Sequence, residues 1–488
     1  MSKFDVVLRG GRVIDPESGL DAVRDVAIVG DRVAAVGVGL PPGRQEADVV
    51  GQVVTAGFVD LHSHAHDLGS ARLQVTDGVT TALELEAGAT PVAAAYSAAA
   101  TAGRPVNYGF AASWAMARMD VLVGVTFDGS PGSLLAHLGD PRWGRAASPP
   151  EIDRILGLLE SDIADGALGI GLLVGYAPGA SPGEYLRVAA LAAANGVPTF
   201  THARDLVEFT PGGAIDGAEE IVRAAGETGA RMHYCHVNST TLRHADRVLA
   251  LVERAQRAGA PVSTEAYPYG AGMTGIGAAF LAPERLAERG LTPRSITYAP
   301  TGEEVASAAR LHELRAADPG GLAVIRQLDD DDPADQAVLR RYLTFPGSVI
   351  ASDAMPLTWI GATPAPAAWP LPPAAFTHPR TAGTFSRSIS RLRANSGLSL
   401  SEILAKCSLH PAMVLQNRVP AMRRKGRVSA GSDADIVVFD PETITDQATY
   451  SDSTRPSTGI RHVLVNGTFV VRDGELDTSA QPGRPVRA

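Results

Sequence analysis

Lysine is almost missing from this chain of 488 residues: only Lys3, Lys406 and Lys425 occur, so nothing between Phe4 and Ala405 can supply an amino side chain. Cysteine is scarcer still, with Cys235 and Cys407 far apart. That pair excludes a disulfide framework or a zinc-knuckle spacing and reads as two reduced structural thiols. Positive charge is nowhere concentrated. The 43 Lys and Arg stand against 53 Asp and Glu, a net charge of −10, and no basic stripe suited to nucleic acid or an anionic membrane is present. Long apolar runs are absent as well: no stretch approaches about 18 uninterrupted apolar residues, and the opening MSKFDVVLRGG lacks the apolar centre of a signal peptide. The expectation is a cytoplasmic protein that acts on a small molecule, without nucleic-acid or membrane partners; a homo-oligomer is compatible with this composition.

What is present is an ordinary globular composition, 45% hydrophobic and 20% charged, with 51 glycines and no region poor enough in apolar residues to predict disorder. The length suits one large α/β barrel with a small appended domain. Residues 4–50 read as short strands broken by turn signals, and DADIVVFDP and GIRHVLVNGTFVVRDG near the far end have the same texture, with Asn-Gly as a hairpin signal. Residues 1–52 and 421–488 are therefore expected to build one small β-sandwich domain from both termini. Between them, over 53–420, strand-length apolar runs alternate with Ala-rich helical segments. The runs are VVTAGFVDLHSH, TTALELEAG, PVNYGFAASW, ALGIGLLVG, GVPTFTHARD, ARMHYCHVNS, APVSTEAYPYG and GSVIASDAMP. Eight such runs predict a (β/α)8 TIM-like barrel with its active site at the C-terminal ends of the strands. The gap over 270–346 is about twice the length of the others and predicts an insertion over the barrel mouth. Within it FLAPERLAERG and PTGEEVASAARLHELRAADPGG are helical by periodicity, and DDDDPADQ reads as a solvated acidic turn.

The chemistry-bearing residues lie at the ends of these runs. His62 and His64 share one face if the first run stays extended, and a His-x-His pair at a strand end can bind one metal ion through both imidazoles. His66 reads as loop. His202 closes the fifth run, His236 ends the sixth and Asp353 follows the eighth, so four histidines and one aspartate are predicted to converge at one barrel mouth. His233 begins its strand and reads as ordinary. Cys235 is expected to face away from His236, toward the helices. Glu84 and Glu86, two carboxylates in an otherwise apolar strand, share a face by even spacing and are hard to bury without a cation.

This constellation resembles the amidohydrolase superfamily of metal-dependent hydrolases. The likeness spans nearly the whole chain: VVLRGGRVIDP, GFVDLHSH, DGVTT, THARD, CHVNS, YPY, SDAMP, HPRTAGTF and KGRVSAGSDADIVVFDP. GALGIGLLVGYAPG, EAYPYGAG, HPRTAGTFSR and GIRHVLVNG look most like the D-aminoacylase branch, the N-acyl-D-amino-acid deacylases. The resemblance implies His62 and His64 as ligands of one metal, His202 and His236 as ligands of another, and Asp353 as ligand and general base. Relatives bridge their metals with a carboxylated lysine or, in this branch, a cysteine at the end of the second strand. Neither residue exists at those places here, and Glu86 is the expected substitute, with Glu84 as the alternative. The resemblance further implies Tyr267 and Arg380 at the substrate carboxylate, with Asn238 standing where the branch carries a lysine.

Imidazole and carboxylate ligands with one position left for water fit Zn2+, one ion or two, and Mn, Fe or Co could replace it. The implied reaction is hydrolysis of an amide C–N bond in an N-acyl amino acid. A metal lowers the pKa of the water it binds so that hydroxide attack becomes feasible near neutral pH, while Asp353 takes and returns the proton. Alternatives are hydrolysis of a cyclic amide or imide, as in the hydantoinase branch, or of a peptide or lactam in a biosynthetic route. A catalytically dead barrel used as a scaffold is disfavoured, because the four histidines and the aspartate are all kept.

Overall fold

The structure is a computed structural model and describes residues 3–488. The N-terminal strands Phe4–Asp15 (β1), Leu20–Val29 (β2), Arg32–Gly37 (β3), Gly43–Asp48 (β4) and Val53–Ala56 (β5) join Ile436–Phe439, Ile460–Val465, Thr468–Arg472 and Glu475–Leu476 in one nine-stranded sheet. The termini thus build a β domain together, through antiparallel pairing of β5 with Ile436–Phe439. Its layers are parts of a single continuous sheet. Backbone hydrogen bonds from Val33 N to Ser432 O and from Ala434 N to Asp31 O bring the β3 edge back against the 431–434 turn. The enclosed face holds Val6, Leu8, Val26, Ile28, Val54, Ile436 and Val438.

The second sheet is the barrel. Its strands are Phe58–Asp60 (β6), Val79–Ala89 (β7), Asn107–Ser113 (β8), Ile170–Leu172 (β9), Thr199–Thr201 (β10), Met232–Tyr234 (β11) and Val262–Ala266 (β12). The intervening insertion carries Ala271–Gly275 (β13), Ile296–Tyr298 (β14), Glu303–Glu304 (β15) and Leu322–Arg326 (β16), and Val349–Ile350 (β17) completes the barrel. The eight barrel strands are paired in sequence order, and every pair is parallel. The seam between β17 and β6 is closed by a parallel bridge of Ser63 with Ala354 and by Asp60, which accepts from Ser352 N at 2.9 Å. Outward side chains such as Phe110, Ile170 and Met232 pack against the helices. Leu61, Leu83, Leu85, Phe200, Val349 and Ala351 fill the lumen, and Ala412, Leu415 and Met422 plug it from beneath. A lumen filled in this way is a core, so only its upper end is left for chemistry.

All eight expected runs supply barrel strands, with one change of course. The run Val53–His64 is split at Gly57, where a Cβ would collide with Thr80; its first half belongs to the terminal sheet and only Phe58–Asp60 to the barrel. His62 and His64 therefore lie beyond the strand rather than on it.

The insertion is a four-stranded antiparallel sheet, β13 to β16, with 3-10 turns at Ala279–Leu281 and Pro283–Arg289 and a helix at Ala308–Ala317. The first expected helix is thus only tight turns. Asp205, in the loop after β10, accepts from Arg285 Nη2 at 2.7 Å and so ties these turns to the barrel. The acidic stretch is mostly exposed, but Asp335 is buried against Arg243 at 2.5 Å. No helix among the described residues is long and apolar enough to cross a membrane.

Candidate metal centre

Glu86 lies at the centre of the mouth. Its Oε2 faces His62 Nε2 at 3.2 Å and His64 Nε2 at 3.6 Å; its Oε1 faces His236 Nε2 at 2.6 Å and His202 Nδ1 at 3.1 Å. One carboxylate thus presents an oxygen to each of two histidine pairs. Asp353 Oδ1 is 3.5 Å from both His62 Nε2 and His64 Nε2. Among these six residues, three triads have ligand atoms within 4.8 Å of one another: His62, His64 and Glu86; Glu86, His202 and His236; and His62, His236 and Asp353. The five residues expected to converge, His62, His64, His202, His236 and Asp353, are brought together, with Glu86 between them.

Local backbone explains the convergence. β7 runs on to Ala89, but its pairing with β8 shifts between Glu84 and Ala89 around Gly88, at φ +68°. This bulge breaks the two-residue period, so Glu84 and Glu86 do not share one face as their even spacing predicts. Glu84 lies on the far side of His64, 2.7 Å from His64 Nδ1 and 2.6 Å from His66 Nε2, with Ala87 N and Gly88 N donating to its other oxygen. His66 is accordingly more than loop. His236 and Asp353 adopt positive φ, +28° and +50°, a conformation that non-glycine residues hold only when their surroundings enforce it.

Two other expectations at β11 are corrected. Cys235 does not face the helices: it packs with Leu61, Phe200 and Val349 in the lumen, within ligand distance of His62 and Glu265. His233 is not an ordinary strand residue, since its Nε2 is 2.9 Å from Glu265 Oε2, whose Oε1 is 2.5 Å from His62 Nδ1. The signal for Glu265 was in the sequence, a lone carboxylate inside the apolar run APVSTEAYPYG, the same signal that marked Glu86.

The electrostatics are those of a site built for positive charge. Burial alone would push the His62 imidazole down, yet Glu86, Glu265 and Asp353 together hold it well above its ordinary value. Burial would raise Glu86, but His62 and His236 keep it well below the usual carboxylate range. Glu84 is held to about 2 by His64 and His66 against the effect of burial. Asp353, also buried, stays low because of Arg380 and His62. So many ionised carboxylates out of water need cations among them, and the donor set of four imidazole nitrogens with Glu86 and Asp353 oxygens suits one or two divalent ions.

Above this cluster is a cavity of about 420 Å3. Apolar side chains form much of its wall: Leu134, Leu135 and Leu138 from one loop, and Phe280, Leu281 and Leu291 from the insertion. Tyr176 and Phe280 cover His202 at ring separations of 4.7 and 5.9 Å. Arg380 enters the cavity from the helix Arg380–Asn395, its Nη2 donating to Asp353 Oδ2 at 3.0 Å and to Met273 O at 3.2 Å, its guanidinium over the Tyr267 ring. Arg380 Nε and Nη1 and the Tyr267 hydroxyl, which is turned toward Ser239, are buried without a hydrogen bond of good geometry. Asn238 is not on this wall. The helical turn Val237–Thr241 points it inward, where its Oδ1 accepts from Tyr267 N at 3.3 Å, and Ser239 and Thr240 line the cavity instead.

Comparison with known proteins points to one family. Residues 177–471 match a family described as the amidohydrolase family. N-acyl-D-glutamate deacylase of Alcaligenes xylosoxydans xylosoxydans is 29% identical over 517 aligned residues, covering 99% of this chain and 97% of that protein. A crystal structure of D-aminoacylase superposes with a TM-score of 0.76 at 26% identity, over 99% of this chain and 100% of the other. N-acyl-D-glutamate deacylase from Bordetella bronchiseptica, solved with zinc and a phosphonate inhibitor that mimics the tetrahedral intermediate, gives a TM-score of 0.76 at 24% identity, over 100% of both chains.

Proposed function

Because the chain belongs to the amidohydrolase family, we propose that it hydrolyses the amide C–N bond of N-acyl-D-amino acids with the aid of zinc. The observation that carries this reading is Glu86, one oxygen turned to His62 and His64 and the other to His202 and His236. In this reading His62, His64 and Glu86 would hold one divalent ion and Glu86, His202 and His236 would hold a second, with Asp353 beside the first pair of histidines. The bound ions would lower the pKa of water toward about 7 and polarise the scissile carbonyl.

The protein's own groups do the rest. Asp353 is an ionised carboxylate beside the metal-facing nitrogens; it takes the proton of the attacking water and returns it to the departing amine nitrogen. Arg380 fixes Asp353 Oδ2 with Nη2 and keeps the neighbouring Nη1, buried without an acceptor, for the substrate carboxylate. Tyr267 supplies a hydroxyl beside it. Asn238, which stands where related enzymes carry a lysine, is turned away from this seat and adds no charge to it. The leucine-rich wall favours an apolar acyl group or side chain and keeps water from the reacting bond. The other arginine of the cavity, Arg289, is stacked between Phe209 and Phe280 and lies 3.5 Å from Asp205, with its Nε buried and unpartnered, so acidic side chains belong in the test as well.

The test is a release assay on N-acyl-D-amino acids with apolar and acidic side chains, their L-enantiomers, hydantoins and dihydropyrimidines. Activity on the apolar D-series should vanish with a chelator, return with Zn2+, and fall by about 10²-fold or more in Asp353→Asn. Turnover of the cyclic amides alone would replace this reading with the hydantoinase-like one, and full activity in Asp353→Asn would remove the proposed proton carrier.

A further inference from the structure

Behind the two histidines of the His-x-His pair are two similar arrangements. His62 Nδ1 is 2.5 Å from Glu265 Oε1, and Glu265 Oε2 is 2.9 Å from His233 Nε2, whose Nδ1 is 2.7 Å from Ser263 Oγ. His64 Nδ1 is 2.7 Å from Glu84 Oε2, which is also 2.6 Å from His66 Nε2. In each case an inner histidine is backed by a carboxylate and the carboxylate by an outer histidine. Glu265 has one further contact: its Oε1 accepts from His236 N at 3.2 Å, at the residue held at φ +28°.

Resting on the zinc reading above, we infer that Glu265 with His233, and Glu84 with His66, are positioning pairs that hold His62 and His64 with Nε2 turned to the metals. Imidazole has two nitrogens, and which of them carries the proton is set by the bond the other one makes. A carboxylate at Nδ1 draws the proton there, leaves the Nε2 lone pair free and makes it more basic, the effect known for carboxylate–histidine–metal arrangements. Glu265 is well placed for this and for nothing nearer the reaction. It lies on β12 below the mouth, is fully buried, does not line the cavity, and meets His62, His233, the His236 backbone and the Cys235 thiol. Glu84 is equally enclosed, its second oxygen occupied by Ala87 N and Gly88 N. His233 reaches the opposite end of the barrel, where with Pro198, Arg231 and His410 it lines a second cavity. The support behind His62 thus spans the barrel and fixes the ring against rotation.

The experiment measures zinc affinity by competition with a chromophoric chelator, and the visible absorption of the cobalt-substituted protein, in the full-length chain. Wild type is compared with Glu265→Gln, Glu265→Ala and His233→Ala. Glu265→Gln keeps an acceptor of the same shape but loses the charge, and a 10- to 100-fold weaker zinc affinity is expected. Glu265→Ala should be weaker again, and His233→Ala should fall between wild type and Glu265→Gln. The cobalt bands should shift in all three. If Glu265→Gln does not fold, Glu84→Gln carries the same expectation through His64. Zinc affinity and cobalt spectra at the wild-type level in the folded variants overturn the inference while leaving the hydrolase reading in place. A wild-type protein that binds no zinc overturns that reading first, so the two failures are distinct.

Discussion

Arg380 concentrates the energetic tension of the site in one side chain. Two of its donor nitrogens are buried with no acceptor, and an unsatisfied buried donor costs about 1–3 kcal/mol. Such a cost persists where a ligand offsets it, and a carboxylate accepting from Nη1, next to the Nη2 that holds Asp353, would remove part of it. Lysine cannot reproduce this, because its ammonium is a point charge without the fork. Arg380→Lys is therefore expected to raise KM by about 10- to 100-fold with a smaller fall in kcat, since Asp353 keeps a cation beside it. Steady-state kinetics on an N-acyl-D-amino acid checks this; an unchanged KM would place the carboxylate elsewhere. Residues of this kind were legible in the sequence wherever they follow an apolar run, as His202, His236 and Asp353 do. Those whose orientation depends on what happens after the strand were not. Asn238 lies in a helical turn that rotates it away, and Cys235 follows a strand that ends at Tyr234, so alternation no longer decides where it points.

At the level of elements, the site depends on how closely β7 and β9 approach. Gly171 on β9 faces the backbone of β7 where Glu86 is carried: a Cβ there would collide with the Glu86 carbonyl oxygen and meet Leu85 O at 2.6 Å. Neither atom can swing aside, as both belong to a strand. Gly171→Ala should therefore force the two strands apart and shift Glu86 relative to both histidine pairs. A destabilisation of about 1–3 kcal/mol is expected, in the range of overpacked cores, together with loss of bound zinc. Thermal unfolding and elemental analysis measure the two effects. A variant that melts lower but keeps its full metal content would show that the packing matters and the placing of Glu86 does not. The barrel itself was legible because each strand is a short apolar run with a polar end, and eight of them fit the arithmetic of one architecture. The bulge at Gly88 was not, since a register shift is a cooperative property of β7 and β8 together. The roles of Glu84 and Glu86 separate only once that bulge is in place.

For the whole molecule, Asp77 couples three parts of the chain that are far apart in sequence. It ends the helix Leu68–Thr76, accepts from Phe385 N and Ser386 N in the helix Arg380–Asn395, and accepts from Ser457 Oγ in the C-terminal segment. Burial raises its carboxyl to about 7, against the opposing effect of those hydrogen bonds, from an ordinary value of 3.8. The folded chain then binds a proton that the unfolded chain has already released between about pH 4 and 7. The stability contributed by this group is fully present below pH 4 and is lost as the pH rises toward 7. Asn does not titrate, but its amide nitrogen cannot accept the backbone N–H that the second acid oxygen accepts, a loss that does not depend on pH. Asp77→Asn should consequently lag wild type most near pH 4 and gain on it steadily up to pH 7. The quantity to follow is the difference in Tm between variant and wild type across that window, because metal loss at low pH affects both proteins alike and cancels. A difference that stays constant with pH would mean that Asp77 is ionised in the folded protein throughout, its three donors outweighing its burial.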